Sequence, residues 1–196
     1  DLAFRTATDL CALLRSGELK SRDLLEHALS RVAKHDPAVH AIVTLEATRA
    51  RAEADAADRE RAAGRELGPL HGLPITIKDS FETEGIRTTC GAPELANHVP
   101  TRDAIAVARL RKAGAIVFGK TNTPYMTSDW QSFNELFPTT CNPWNLERTP
   151  GGSSGKESFS TRAATSSTKN PATSIDTGGM RNTSATTRPK PASSAA

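Results

Sequence analysis

Apolar positions along the chain recur with two different periods. Over residues 8–14 they follow helical spacing, and Gly17 supplies a stop, which predicts a short first helix. Ser21 stands as a candidate cap for a second helix with Leu24, Leu25, Ala28, Leu29 and Val32 on one face, closing before Pro37. Ala41-Ile42-Val43 reads as a short strand. Residues 46–64 are alanine-rich with interleaved Glu, Asp and Arg, the pattern of a solvent-washed helix ending near Gly64.

The middle of the chain changes period. Pro74-Ile75-Thr76-Ile77 is a compact β-branched run that leads into Lys78-Asp79. Thr101 or Asp103 can cap a helix through Ile105, Val107, Ala108 and Leu110 that stops at Gly114. Ala115-Ile116-Val117-Phe118 follows as a buried-type strand, with Gly119-Lys120-Thr121-Asn122 at its end. Strand, helix, strand in this order predicts an α/β sheet. Ligands of open α/β sheets gather at the C-terminal ends of strands, where Lys78 and Lys120-Thr121-Asn122 both lie.

Composition splits the chain in two. Residues 1–155 read as a globular fold; from Lys156 onward, Ser and Thr fill sixteen of 41 positions and the large apolar side chains are only Phe159, Ile175 and Met180. Such a stretch buries too little apolar surface to offset its ordering entropy, so residues 156–196 are expected to be irregular. The net charge of +3 belongs to this tail, which holds six Lys/Arg against two Asp/Glu, scattered rather than clustered. Nucleic acid is therefore not an expected partner. No apolar run reaches the roughly 18–20 residues of a membrane helix. Three widely spaced cysteines (Cys11, Cys90, Cys141) form neither a disulfide framework nor a zinc motif. Without a signal-like start, a reduced, cytoplasmic protein is the expectation, and no metal or organic cofactor is implied.

Four segments carry candidate chemistry: His71-Gly-Leu-Pro-Ile-Thr-Ile-Lys78-Asp79, Gly119-Lys-Thr-Asn-Thr-Pro124, Cys141-Asn-Pro-Trp144 and Pro150-Gly-Gly-Ser-Ser-Gly155. Each alone has an ordinary reading. A lysine after a strand is usually solvated, Gly-Gly-Ser-Ser-Gly is usually a linker, and Asn-Pro-Trp is usually a turn with a packed indole. Nor is the glycine run a phosphate loop, since G-x-x-x-x-G-K-[ST] is not satisfied there.

Taken in order and at these separations, the four segments resemble the amidase signature family. That family spans bacterial amidases, fatty acid amide hydrolase and the A subunit of glutamyl-tRNA amidotransferase. The likeness covers roughly residues 5–155. It implies an α/β fold, a mixed sheet flanked by helices, that is incomplete in this chain. It also implies hydrolysis of a carboxylic amide C–N bond through a lysine, a serine in a cis peptide and a nucleophilic serine. By motif, Lys78 is the lysine and Ser153 the cis serine, with Gly152 and Ser154 beside it. Asn122, Tyr125 and Met126 would line the acyl pocket for a small-molecule amide. The chemistry is coherent: burial lowers a lysine pKa towards a useful base, which activates a hydroxyl that is otherwise a poor nucleophile.

The likeness breaks after Gly155. Lys156 replaces a family glycine, and Asp176-Thr177-Gly178-Gly179-Met180 is a damaged echo of the nucleophile and oxyanion motif: aligned on Asp176-Thr-Gly-Gly, the thioether of Met180 stands where the serine belongs, and aligned on Arg181-Asn182, one residue is missing. The tail therefore reads as degenerate or frameshifted. Three expectations follow. The chain is an amidase whose written tail is corrupt, an amidotransferase A-type subunit, or an inactive fragment that only binds a ligand or partner. A fragment with open sheet edges would tend to self-associate, so a homo-oligomer is compatible with the last reading.

Overall fold

The computed structural model describes residues 2–152, and the expected irregular tail lies outside the described residues. Its elements follow the order α1 (Ala7–Ser16), α2 (Ser21–Val39), β1 (Ile42–Leu45), α3 (Ala47–Ala62), β2 (Pro74–Lys78), α4 (Ile105–Lys112) and β3 (Ile116–Thr121). The strands form one mixed sheet in the order β1-β3-β2. β2 and β3 run parallel, joined by the crossover that contains α4, and β1 is antiparallel to β3. This is the expected mixed α/β fold. No helix among the described residues is long and apolar enough to cross a membrane.

Helix ends show where local signals hold and where neighbours replace them. α1 begins in a reciprocal cap between Thr6 and Asp9 and ends on Gly17 at φ 82°. Ser21, in contrast, does not cap α2. Its hydroxyl donates to the Gly72 carbonyl at 2.7 Å, and the free N–H groups of Ser21 and Arg22 are taken by the Asp58 carboxylate of α3 at 2.8 and 3.1 Å. Pro37 does not end α2 either; it sits in the last turn, and the helix closes on His40 at φ 56°. Neither Thr101 nor Asp103 caps α4, whose N-cap is Ala104. Asp103 is instead engaged by Arg111 at 3.0 Å and by the Glu84 N–H at 2.7 Å.

Among the described residues, two of three core clusters lie against β3. On one face, Leu25, Leu29 and Val32 of α2 meet Ala50, Ala54 and Ala57 of α3 and Ile116 and Phe118 of β3. The helix expected to be solvent-washed thus has a buried stripe of alanines, small enough to bring α3 close to α2. On the other face, Ile77, Ile86, Val107 and Val117 pack under α4. A β-bulge between these layers decides the site. The β2–β3 register shifts after Ile75–Val117, so that Thr76 pairs with Gly119 and Ile77 with Lys120. Phe118 is the extra residue, and a single inserted residue reverses which face the following side chains point to. Lys120 is thereby placed on the face of Ile77, while Lys78 and Thr121 share the opposite one.

Gly114 closes the α4–β3 turn at φ 94°, where an added Cβ would lie 2.6 Å from the His71 Cα, so only glycine fits. The alanine stripe carries a further consequence. Ala54→Leu, at a position with no exposed surface, is expected to destabilise the chain by about 1–3 kcal/mol through overpacking. Urea denaturation checks this as a lower midpoint with an unchanged slope.

Candidate functional site

The C-terminal ends of β2 and β3 gather the expected residues. Lys78 is the last residue of β2 and is half-buried. Burial lowers its pKa from the ordinary lysine range, and the neighbouring Cys90 thiol opposes that shift. Its carbonyl accepts the Phe81 N–H at 3.1 Å, closing a turn directly after the strand.

Asp79, only 1% exposed, holds that turn to the segment 86–91. Its Oδ2 accepts both the Thr89 N–H and the Thr89 hydroxyl, its carbonyl accepts the Cys90 N–H at 3.1 Å, and its own N–H donates to Thr121 at 3.0 Å. Burial pushes its carboxyl pKa up. Lys120 lies at the end of β3, as expected, one residue before Thr121 closes the strand, and is 0% exposed. Its Nζ donates to the Phe81 carbonyl at 2.8 Å and to the Thr88 hydroxyl at 2.6 Å, and stands 3.8 Å from Asp79 Oδ1. Burial lowers its pKa to about 8, with Asp79 acting in the opposite sense.

A second knot lies beyond β3. Asn122 is fully buried, and its amide is spent on the protein itself. Its Nδ2 donates to Pro138 and to Thr140 at 3.0 Å, and its Oδ1 accepts from the Thr123 N–H and from Asn134. The Asn122 amide therefore clamps the loop 132–140. The acyl-pocket role expected for it would have to be exerted through that loop. Asn134 completes the clamp, donating to Thr123 at 2.7 Å and accepting the N–H groups of Leu136 and Phe137.

The remaining expected residues fall as follows. Tyr125 is partly exposed, donates to Glu94 at 2.9 Å and lines a cavity of about 510 Å³ with Pro93, Asp129 and Phe133. Met126 is 52% exposed in a left-handed conformation, its N–H held by the Cys90 carbonyl. The Asn142-Pro143-Trp144 segment is a turn as expected, but its indole is 87% exposed rather than packed. Gly152, at φ 95°, is the last described residue, and its carbonyl lies 3.4 Å from the Ser132 hydroxyl. Ser153, Ser154, Asp176, Thr177, Gly178 and Gly179 lie outside the described residues.

Sequence reasoning overlooked Asn134, Thr88 and Thr89, which stand in ordinary polar surroundings. It placed Lys120 at the strand end, where it lies next to the last residue of β3, but did not foresee that its amine is buried. The unbroken run Ala-Ile-Val-Phe-Gly before Lys120 was the available signal that the strand continues through it.

The Amidase family model matches residues 23–166. The A subunit of glutamyl-tRNA(Gln) amidotransferase from Roseiflexus sp. (strain RS-1) is 46% identical over 175 residues, covering 89% of this chain and 35% of that protein. Among solved structures, native peptide amidase from Stenotrophomonas maltophilia is similar with a TM-score of 0.72 and 35% identity, over 79% of this chain and 33% of that one. A fatty acid amide hydrolase is similar with a TM-score of 0.75 and 26% identity, over 80% of this chain and 28% of that one. The chain spans about a third of the length of the curated relative it matches.

The buried Lys120 amine has a measurable signature. The folded chain releases its proton near pH 8, against 10.5 for an unperturbed lysine, so between those values the unfolded state binds more protons. Stability therefore rises with pH across this window. Relative to Lys120→Met, wild-type stability is expected to increase from pH 8 to 10.5 by up to the order of 3 kcal/mol, at about 1.4 kcal/mol per pKa unit. Urea melts of both proteins across that range test it. Parallel curves would mean that the amine is not held against its charge.

Proposed function

The chain belongs to the amidase family, and on that premise we propose that it forms the N-terminal part of an amide-processing enzyme. The observation that carries this reading is the Lys78 amine, half-buried at the end of β2 with its charged form disfavoured by burial. In that state Lys78 takes a proton, relayed through Ser153, from a nucleophilic hydroxyl. The hydroxyl oxygen attacks the amide carbonyl, the C–N bond breaks, and the nitrogen leaves with the relayed proton. Water then releases the acid. The substrate is a small-molecule amide whose acyl part lies along the loop of Tyr125 and Met126.

Met180 stands where the serine of the nucleophile motif belongs, and a thioether has no proton to give. This chain as written therefore supplies the base and its relay but no acyl acceptor. An amidotransferase A-type role is a second reading, favoured by relatives of that name at 40–48% identity. In that reading partner subunits are expected.

Peptide mapping across residues 150–196 together with ammonia release from a panel of carboxamides tests the proposal. In protein that turns over, Lys78→Ala is expected to lower the rate by about 10²–10⁴-fold or more, the range of a general base. The wild-type rate should rise with pH and level off below the ordinary lysine value of 10.5. Wild-type-like activity in Lys78→Ala would remove Lys78 from the mechanism. Peptides matching Met180, with no turnover, would favour a chain that only binds.

A further inference from the structure

We propose that Lys120 is a positioning residue for Lys78, its buried amine bolting the turn that closes on the Lys78 carbonyl to the segment 86–91. The inference rests on the reading of Lys78 as the base. It concerns how that amine is held.

Three ordinary roles for Lys120 fail on geometry. A solvated strand end is excluded by its zero exposure. A substrate contact is excluded because the amine is engaged by Phe81, Thr88 and the Asp79 carboxylate. Direct contact with the Lys78 side chain is disfavoured because the bulge puts the two lysines on opposite faces of the sheet.

What the amine does reach is informative. Phe81, whose carbonyl takes one N–H of Lys120, closes the turn back onto the Lys78 carbonyl. Thr88, whose hydroxyl takes another, is fastened at both ends: its hydroxyl donates to Ile86 and its N–H to His98. Asp79 repeats the connection one residue along, through Thr89 and Cys90. Lys120 and Asp79 thus hold residues 88–90 against the strand end from which Lys78 emerges.

That segment carries Cys90, the thiol whose charge acts on Lys78. Gly91 follows at φ 66°, where a Cβ would come within 2.9 Å of the Thr123 carbonyl, so the segment is also pressed onto the loop after β3. Charged and titratable groups among the described residues act on the pair. Asp79, Cys90 and Arg111 act on Lys120, Arg87 acts on Asp79, and Cys90 acts on Lys78. Releasing the bolt would let water reach the Lys78 amine and favour its protonated form.

The test is trace acetylation of the full chain with acetic anhydride, which reacts with neutral amines, read by mass spectrometry from pH 6 to 11. Exposed Lys34 and Lys112 serve as internal references. In the wild type, Lys78 is expected to titrate below the ordinary lysine value of 10.5. In Lys120→Met its profile should move up towards that value, so that Lys78 labels at least about threefold more slowly at pH 8 relative to the reference peptides.

Thr88→Val keeps the side-chain shape and removes the acceptor. It is expected to move Lys78 in the same direction, and Thr88→Ser to restore the wild-type profile. Should Lys120→Met fail to fold by circular dichroism, the Thr88 pair decides. An unchanged Lys78 profile in folded Lys120→Met, or in Thr88→Val, overturns the proposal. Because labelling needs no turnover, it stands or falls separately from the amidase reading, which Lys78→Ala tests.

Discussion

The burial of a lysine amine inside β3 constrains the whole C-terminal end of the sheet. An ammonium removed from water must find partners, or its neighbours must tolerate a neutral amine. Here the partners come from segments distant in sequence: a turn carbonyl at Phe81, a hydroxyl at Thr88 and a carboxylate at Asp79. Satisfying one cation therefore fixes the strand end, the turn after it and the segment across from it in a single arrangement. The bulge at Phe118 makes this possible, since without the inserted residue Lys120 would point into the alanine-lined core.

The second knot works by the same logic with neutral groups. Asn122 and Asn134 exchange a hydrogen bond and spend their other polar atoms on loop backbone and on Thr140, whose hydroxyl in turn donates to His40 at the end of α2. The loop between β3 and the glycine run is thus tied to the helical layer. Ser132 within that loop reaches the Gly152 carbonyl, the approach to Ser153. Both knots lie at the end of the sheet where chemistry is expected, and the polar side chains at their centres, Lys120, Asp79, Thr88, Asn122 and Thr140, are buried. They are scaffolding for groups that protrude past them, Lys78 and Tyr125 among them.

Much of the fold was legible because it is written in local signals. Apolar spacing marked α1, α2, α4 and the strands, the alanine-rich charged run marked α3, and α1 ends on Gly17 as expected. The misjudged boundaries share one cause. Ser21 and Asp103 each carry a strong local preference that a tertiary partner overrode. Asp58 took over the cap that Ser21 would have supplied, and Arg111 took Asp103. Pro37 stays inside its helix, which runs on to Val39.

The sequence by itself determined the element order, the α/β class, the family likeness and Lys78 as the residue to watch. Each of these follows from residue type at short range or from motif order. Only the tertiary structure decided that Lys120 is buried rather than solvated, that the Asn122 amide clamps a loop, and that α3 presents a close-packed stripe. The physical reason is that burial and hydrogen-bond partners are properties of residues brought together from far apart. A one-residue bulge can exchange the faces of a strand without leaving any mark in its composition.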